Sequence, residues 1–141
     1  MRLHTKRLLT LDELAQFMEE HWDRDQYNDF RVGHPTSASA SVRYVILPAT
    51  DSWCVIVYPK GPGLFSKKNK VKLACTYTTA GAMKSLDRGA PRFVAYNSVT
   101  AGIQRSKNAK ELNQEMRTAS DGFLTEYAAY LRELLSNAGL A

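Results

Sequence analysis

Three short runs, Val42–Leu47, Trp53–Tyr58 and Val71–Tyr77, are dense in β-branched and aromatic residues and lie close together in the chain. Such runs read as strands, and their connections fix how they pair. Pro48-Ala-Thr-Asp51 is short enough to force the first two into an antiparallel hairpin. The second connection is longer. From Lys60 to Lys72 the chain reads KGPGLFSKKNKVK, with five lysines, no acid, and a proline between two glycines. It reads as the exposed tip of a long β-hairpin. A hairpin symmetric about this tract sets Cys54 opposite Cys75, Ile56 opposite Leu73 and Tyr58 opposite Val71. Alternation then places Val42, Tyr44, Ile46, Cys54, Ile56, Tyr58, Val71, Leu73, Cys75 and Tyr77 on one face. The other face carries Arg43, Val45, Leu47, Trp53, Val55, Val57, Lys72, Ala74 and Thr76. Both faces hold apolar residues, so the second face is expected to be covered as well, by a helix, the N-terminal segment or another subunit.

Helical patterns flank these strands. Thr10-Leu-Asp-Glu13 has the form of a capping box, and Leu11, Leu14, Ala15, Met18 and Trp22 follow at helical spacing. Residues 23–40 lack periodicity and read as a loop. Thr78 caps a short helix through Leu86, and Arg92–Tyr96 is a further strand candidate. Asn97 or Ser98 caps another short helix through Gln104. In the last third, Ala109, Leu112, Met116, Ala119, Phe123, Tyr127, Tyr130 and Leu134 recur every three or four residues, with Leu124, Leu131 and Leu135 alongside. Gly122 interrupts this stripe without ending it, which suits one kinked helix or two in register. The expected fold is α+β: an antiparallel three- to four-stranded meander sheet with an N-terminal amphipathic helix and a long C-terminal helix or helix pair packed on it. At 141 residues the chain fits a single domain, 1–141.

No apolar run is long enough to span a membrane, and MRLHTKRLLT lacks the apolar core of a secretory signal. Cys54 and Cys75 fall in apolar strands, as expected of small buried hydrophobes in a reducing, cytoplasmic setting. The net charge of +5 conceals an asymmetry. Residues 12–29 hold seven acids and one base, Arg24, whereas residues 60–117 hold twelve bases and three acids. This distribution suggests opposite electrostatic faces, the positive one suited to phosphate-bearing partners.

Chemistry-bearing constellations are sparse. His21, Asp25, Asp29 and His34 are metal-ligand types, but Tyr27 and Asn28 stand where a calcium loop needs an oxygen ligand and a glycine, so the segment reads as a polar helix end and no metal is assigned. Neither cysteine has a base next to it in sequence. No nucleophile-elbow, zinc-protease, dithiol or phosphate-loop motif is present, and no cofactor is implied. A non-enzymatic binding protein is the expectation. Its nucleic-acid-binding residues are Lys60, Phe65, Lys67, Lys68, Lys70 and Lys72 on the hairpin, with Arg105, Lys107 and Lys110 near the start of the long helix. The lysines would meet DNA or RNA phosphates, and Phe65 would stack on a base or wedge into a groove. The alternative is a protein-interaction or inhibitor module acting through its sheet face or C-terminal helix, as a homodimer or with another protein.

The strand Trp53–Tyr58, its lysine-rich loop, the strand Val71–Tyr77 and the capped helix after Thr78 resemble the three-stranded-sheet-plus-helix DNA-binding domains at the start of some integrases. The order of helix, three strands and helix also resembles double-stranded-RNA-binding domains. There, however, a lysine pair opens the last helix, whereas Lys67-Lys68 precedes the third strand here, so no family residues are carried over.

Overall fold

The computed structural model describes residues 1–37, 41–64, 66–82 and 98–141, with backbone alone for 98–109, 112, 113 and 116. Among the described residues an antiparallel sheet of five strands runs in the order β1-β5-β4-β3-β2. These are β1 (Arg2–His4), β2 (Arg31–Gly33), β3 (Tyr44–Pro48), β4 (Trp53–Lys60) and β5 (Lys70–Tyr77). Strands β2 to β5 form a meander, and β1 adds to the free edge of β5. The fold is α+β, but its sheet is larger than the three to four strands expected. Both added strands are three residues long, too short for alternation to register in sequence. Residues 23–40 therefore hold more structure than a loop. Beside β2 they contain the one-turn helix α2 (Arg24–Tyr27), whose cap Asp23 accepts from the Asp25 and Gln26 amides.

Helix α1 (Leu11–His21) starts as its sequence dictates. Thr10 Oγ1 accepts the Glu13 amide, and the Glu13 carboxylate accepts the Thr10 amide. A second N-cap holds at Thr78, whose Oγ1 accepts the Gly81 amide. Residues 79–82 are helical there. The rest of that expected helix, and the strand candidate Arg92–Tyr96, lie outside the described residues. Helix α3 (Ser98–Asn137) is continuous through Gly122 and absorbs the separate short helix expected after Asn97.

The register of β4 and β5 differs from the symmetric one by one residue. Val57 faces Leu73, Val55 faces Cys75, Cys54 faces Thr76 and Lys60 faces Lys70. The one-residue slip turns β5 over relative to the expectation. Val45, Leu47, Val55, Val57, Val71 and Leu73 share the inner face and are at most 1% exposed. Against them pack Leu14 and Met18 of α1 and Tyr127, Ala128, Leu131 and Leu135 of α3. Each buried aliphatic or aromatic side chain contributes roughly 1.5–3 kcal/mol, which is why the inner set decides the register. On α3 the buried line runs through Ser120 rather than Ala119, which is exposed, so the helix is rotated toward the flank that carries Leu131 and Leu135.

An aromatic knot ties the turn after α1 to α3. The Tyr27 and Tyr130 rings stack at 3.8 Å, and Trp22 lies 4.9 Å from Tyr130 and 5.8 Å from Tyr127. Tyr127 donates its hydroxyl to Pro48 O at 2.7 Å and accepts from Asn28 Nδ2 at 3.0 Å. Asn28, at φ 66°, takes the left-handed conformation that asparagine tolerates better than most residues. Tyr127→Phe removes both hydrogen bonds of a side chain that is itself buried, with an expected loss of about 1–2 kcal/mol in chemical denaturation. Gly122 is exposed in mid-helix and an added Cβ there meets nothing within 4 Å, so Gly122→Ala is expected to stabilise by up to about 1 kcal/mol in the same assay.

Candidate nucleic-acid interface

The observed register gathers the basic residues of three strands. On the outer face, His4, Lys70 and Lys60 form one cross-strand row, and Arg2, Lys72 and Tyr58 form the next. Neighbouring strands lie ~4.8 Å apart and same-face positions along a strand ~6.7 Å apart, so these groups share a small patch. Among the described residues no carboxylate pairs with Arg2, Lys60, Lys70 or Lys72; the ion pairs present are Arg7–Glu13, His21–Glu20, Arg24–Glu19 and Arg24–Asp29. Lys70 is 6% exposed. Burial, reinforced by the charges of Arg2, Lys60 and Lys72, holds its ammonium below the ordinary lysine range. Like charges set directly opposite one another cost stability, on the order of 0.2–1 kcal/mol per pair.

The Arg2–Lys72–Tyr58 row continues across the sheet. Tyr44 lies 5.2 Å from Tyr58, ring centre to ring centre, in an edge-to-face arrangement, and Tyr44 pairs with Gly33 of β2. The Lys72 ammonium stands 5.8 Å from the centre of the Tyr58 ring. Beside this row lie Ala74, Ile56, Ile46 and Arg31, again one per strand. Tyr44, Ile56, Tyr58, Lys72 and Ala74 are only half-buried, unlike the inner face. On the outer face Ile46, Cys54 and Lys70 are buried and these five are partly covered.

Of the expected binding residues, Lys60, Lys70 and Lys72 converge on the patch, while Lys67 and Lys68 are exposed at the hairpin tip. A Gly63–Ser66 bridge tightens the tip, and Leu64 stands 99% exposed on it. Phe65 lies outside the described residues, as do the side chains of Arg105 and Lys107. Lys110 is exposed on α3, in a groove shared with Glu111 and Glu115, and is not among the cations around Lys70. Arg2, His4, Tyr44 and Tyr58 were not in the expected set. The alternation of Arg2-Leu3-His4, with Leu3 buried between two exposed polar residues, is the one local signal for the first two.

The metal-ligand types stay apart. His21 lies against Phe17, Asp29 accepts the Phe30 amide and pairs with Arg24, and His34 Nδ1 contacts Thr36. No group of three potential ligands forms among the described residues. The cysteines point to opposite faces, so the cross-strand pairing expected between them does not occur. Cys75 Sγ approaches Ser120 O on the helical side, and Cys54 lines a cavity of about 340 Å³ on the outer side with Asp29, Arg31, Ile46 and Thr78. The chain has no significant match among protein-family models, curated proteins or solved structures.

Burial pushes the Cys54 thiol up to about 11, only partly offset by Arg31. A raised acid pKa means that the folded state holds the proton more tightly. Its contribution to stability is complete below the unfolded thiol value of ~8.5 and is lost as pH rises from there through about 11. At pH 8 the native protein is accordingly expected to leave Cys54 unalkylated by iodoacetamide, with rapid modification on unfolding, as read by peptide mass spectrometry.

Proposed function

We propose that this protein is a non-enzymatic nucleic-acid-binding protein that holds DNA or RNA phosphates with the cations of its β4–β5 hairpin and the adjoining β1. The supporting observation is that Arg2, Lys60, Lys70 and Lys72 meet on one sheet face with no carboxylate paired to them among the described residues. Folding does not ask for this. Uncharged polar residues at 60 and 72 would serve the outer face as well and would avoid the repulsion with Lys70. A polyanion removes that repulsion on binding. Lys67 and Lys68 extend the positive surface to the hairpin tip.

The cytoplasm is the proposed compartment, supported by two unpaired cysteines held apart on opposite faces. No helix among the described residues is long and apolar enough to cross a membrane. A homodimer through the outer face is disfavoured, because a two-fold contact would set this cation cluster near its own copy.

A titration with labelled single-stranded RNA, single-stranded DNA and duplex DNA at 50 and 200 mM salt tests the proposal. Four to six phosphate contacts predict a log–log salt slope of about −3 to −5, or an affinity loss of about a hundredfold to a thousandfold over that range. Lys67→Glu with Lys68→Glu should flatten the slope by about one to two, whereas Arg132→Glu, an exposed change on α3, should leave it nearly unaltered. Absence of salt-dependent binding to all three oligonucleotides at 50 mM salt would overturn the proposal.

A further inference from the structure

We propose that the outer sheet face takes single-stranded nucleic acid in preference to duplex, with a base stacked on the Tyr58–Tyr44 pair and phosphates on Arg2, Lys60, Lys70 and Lys72. This rests on the nucleic-acid reading above and narrows its ligand.

Two geometric facts carry it. The first is the width of the basic element. A major groove about 12 Å wide admits a two-stranded ribbon. Here Lys70 and Lys72 lie on a strand whose outer edge is already occupied by β1, through His4–Lys70 and Arg2–Lys72 pairing. Three strands span ~10 Å between outer axes before any side chain is added, so the cation cluster cannot enter the groove as a ribbon. The second is the position of the aromatic rings. Tyr58 shares a cross-strand row with Lys72 and Arg2, and Tyr44 follows 5.2 Å beyond it. Both rings are half-buried on this face, which leaves them little reach toward bases that stay stacked inside a duplex. An unpaired strand offers both parts of the match, a charged backbone for the cations and free base faces for the rings.

The Lys72 ammonium, 5.8 Å from the Tyr58 ring centre, sets the scale: a phosphate on Lys72 and a base on Tyr58 belong to one nucleotide or to neighbours. In the adjoining row, Ala74 and Ile56 are apolar and offer base edges no side-chain donor or acceptor, and Arg31 stands at its far end. Binding by stacking on such a surface tolerates any base, so the preference is for unpaired structure over sequence.

The test uses fluorescence anisotropy at 50 mM salt with oligo-U, oligo-dT and a blunt duplex, each roughly 16 nucleotides long, on the full chain and on Tyr58→Leu, Tyr58→Phe and Tyr44→Leu. Both single strands are expected to bind at least ~10-fold tighter than the duplex. Loss of one stacking ring should weaken single-strand binding by about 5- to 150-fold, with the duplex affinity and the salt slope unchanged. Tyr58→Phe keeps the ring and should bind like the unaltered protein, which separates stacking from a loss of hydroxyl contacts. Circular dichroism identifies any variant that fails to fold, and Tyr44→Leu gives the same readout if Tyr58→Leu does. Equal or tighter duplex binding, or folded leucine variants that bind single strands at full strength, overturns the single-strand inference and leaves the nucleic-acid reading standing. No binding to any of the three overturns both.

Discussion

The pairing of Val57 with Leu73 is the contact on which the rest of the molecule depends. It selects which face of β5 joins the core, and the opposite face follows without further choice. Two side chains of β5, Val71 and Leu73, are at most 1% exposed in this register. Turning the strand over would send them outward and bring Lys72 inward. Their burial is worth several kcal/mol, whereas setting Lys60 opposite Lys70 costs on the order of 1 kcal/mol or less. The core therefore wins, and the cations are driven together as a consequence. Core burial explains why the repulsion is tolerated. It does not explain why lysine, of all polar residues, occupies 60 and 72, and the proposed phosphate-bearing ligand would supply that reason.

The same register gives the sheet two unlike faces. Inside, aliphatic residues meet α1 and α3. Outside, cations stand near β1, two tyrosines follow, and the apolar positions Ile46 and Cys54 are buried beside a cavity at the far end. The aromatic knot of Trp22, Tyr27, Tyr127 and Tyr130 secures the helical layer, and Tyr127 joins it to the sheet at Pro48. Among the described residues, α1 and α3 pack on the inner face.

Much of this was legible in the sequence, and what was not has physical causes. The capping box at Thr10 and the Thr78 cap are local hydrogen-bond patterns that need no partner element. The central strands β3, β4 and β5 announce themselves by composition. Their register is less legible, because Trp53-Cys-Val-Ile-Val-Tyr58 is apolar on both faces, which leaves symmetry about the lysine tract as the guide. A better one lay in β5, where Val71, Leu73 and Cys75 alternate with Lys72, Ala74 and Thr76. The purely apolar set of β5 belongs with the purely aliphatic sets Val45/Leu47 and Val55/Val57, not with the set that contains Tyr44 and Tyr58. The three-residue strands β1 and β2 carry at most one alternation, as in Arg2-Leu3-His4, and pair where a neighbouring edge offers unpaired amides and carbonyls. With β1 invisible, Arg2 could not be joined to the lysines, and with the register off by one, Tyr58 was placed on the same face as Val71 and Leu73.

Charge separation across the sheet completes the picture. The acids of α1 and α2 lie in the helical layer, partly neutralised by Arg7 and Arg24, while the cation patch faces the other way. A helix packs roughly 10 Å from the sheet it covers, and the patch lies beyond that sheet. The Debye length at physiological salt is ~8 Å, so the acids do little to quench the patch through solvent. They still repel an approaching polyanion on their own side. Under the proposed function, this asymmetry would favour approach of a polyanion with its phosphates toward Arg2, Lys60 and Lys72.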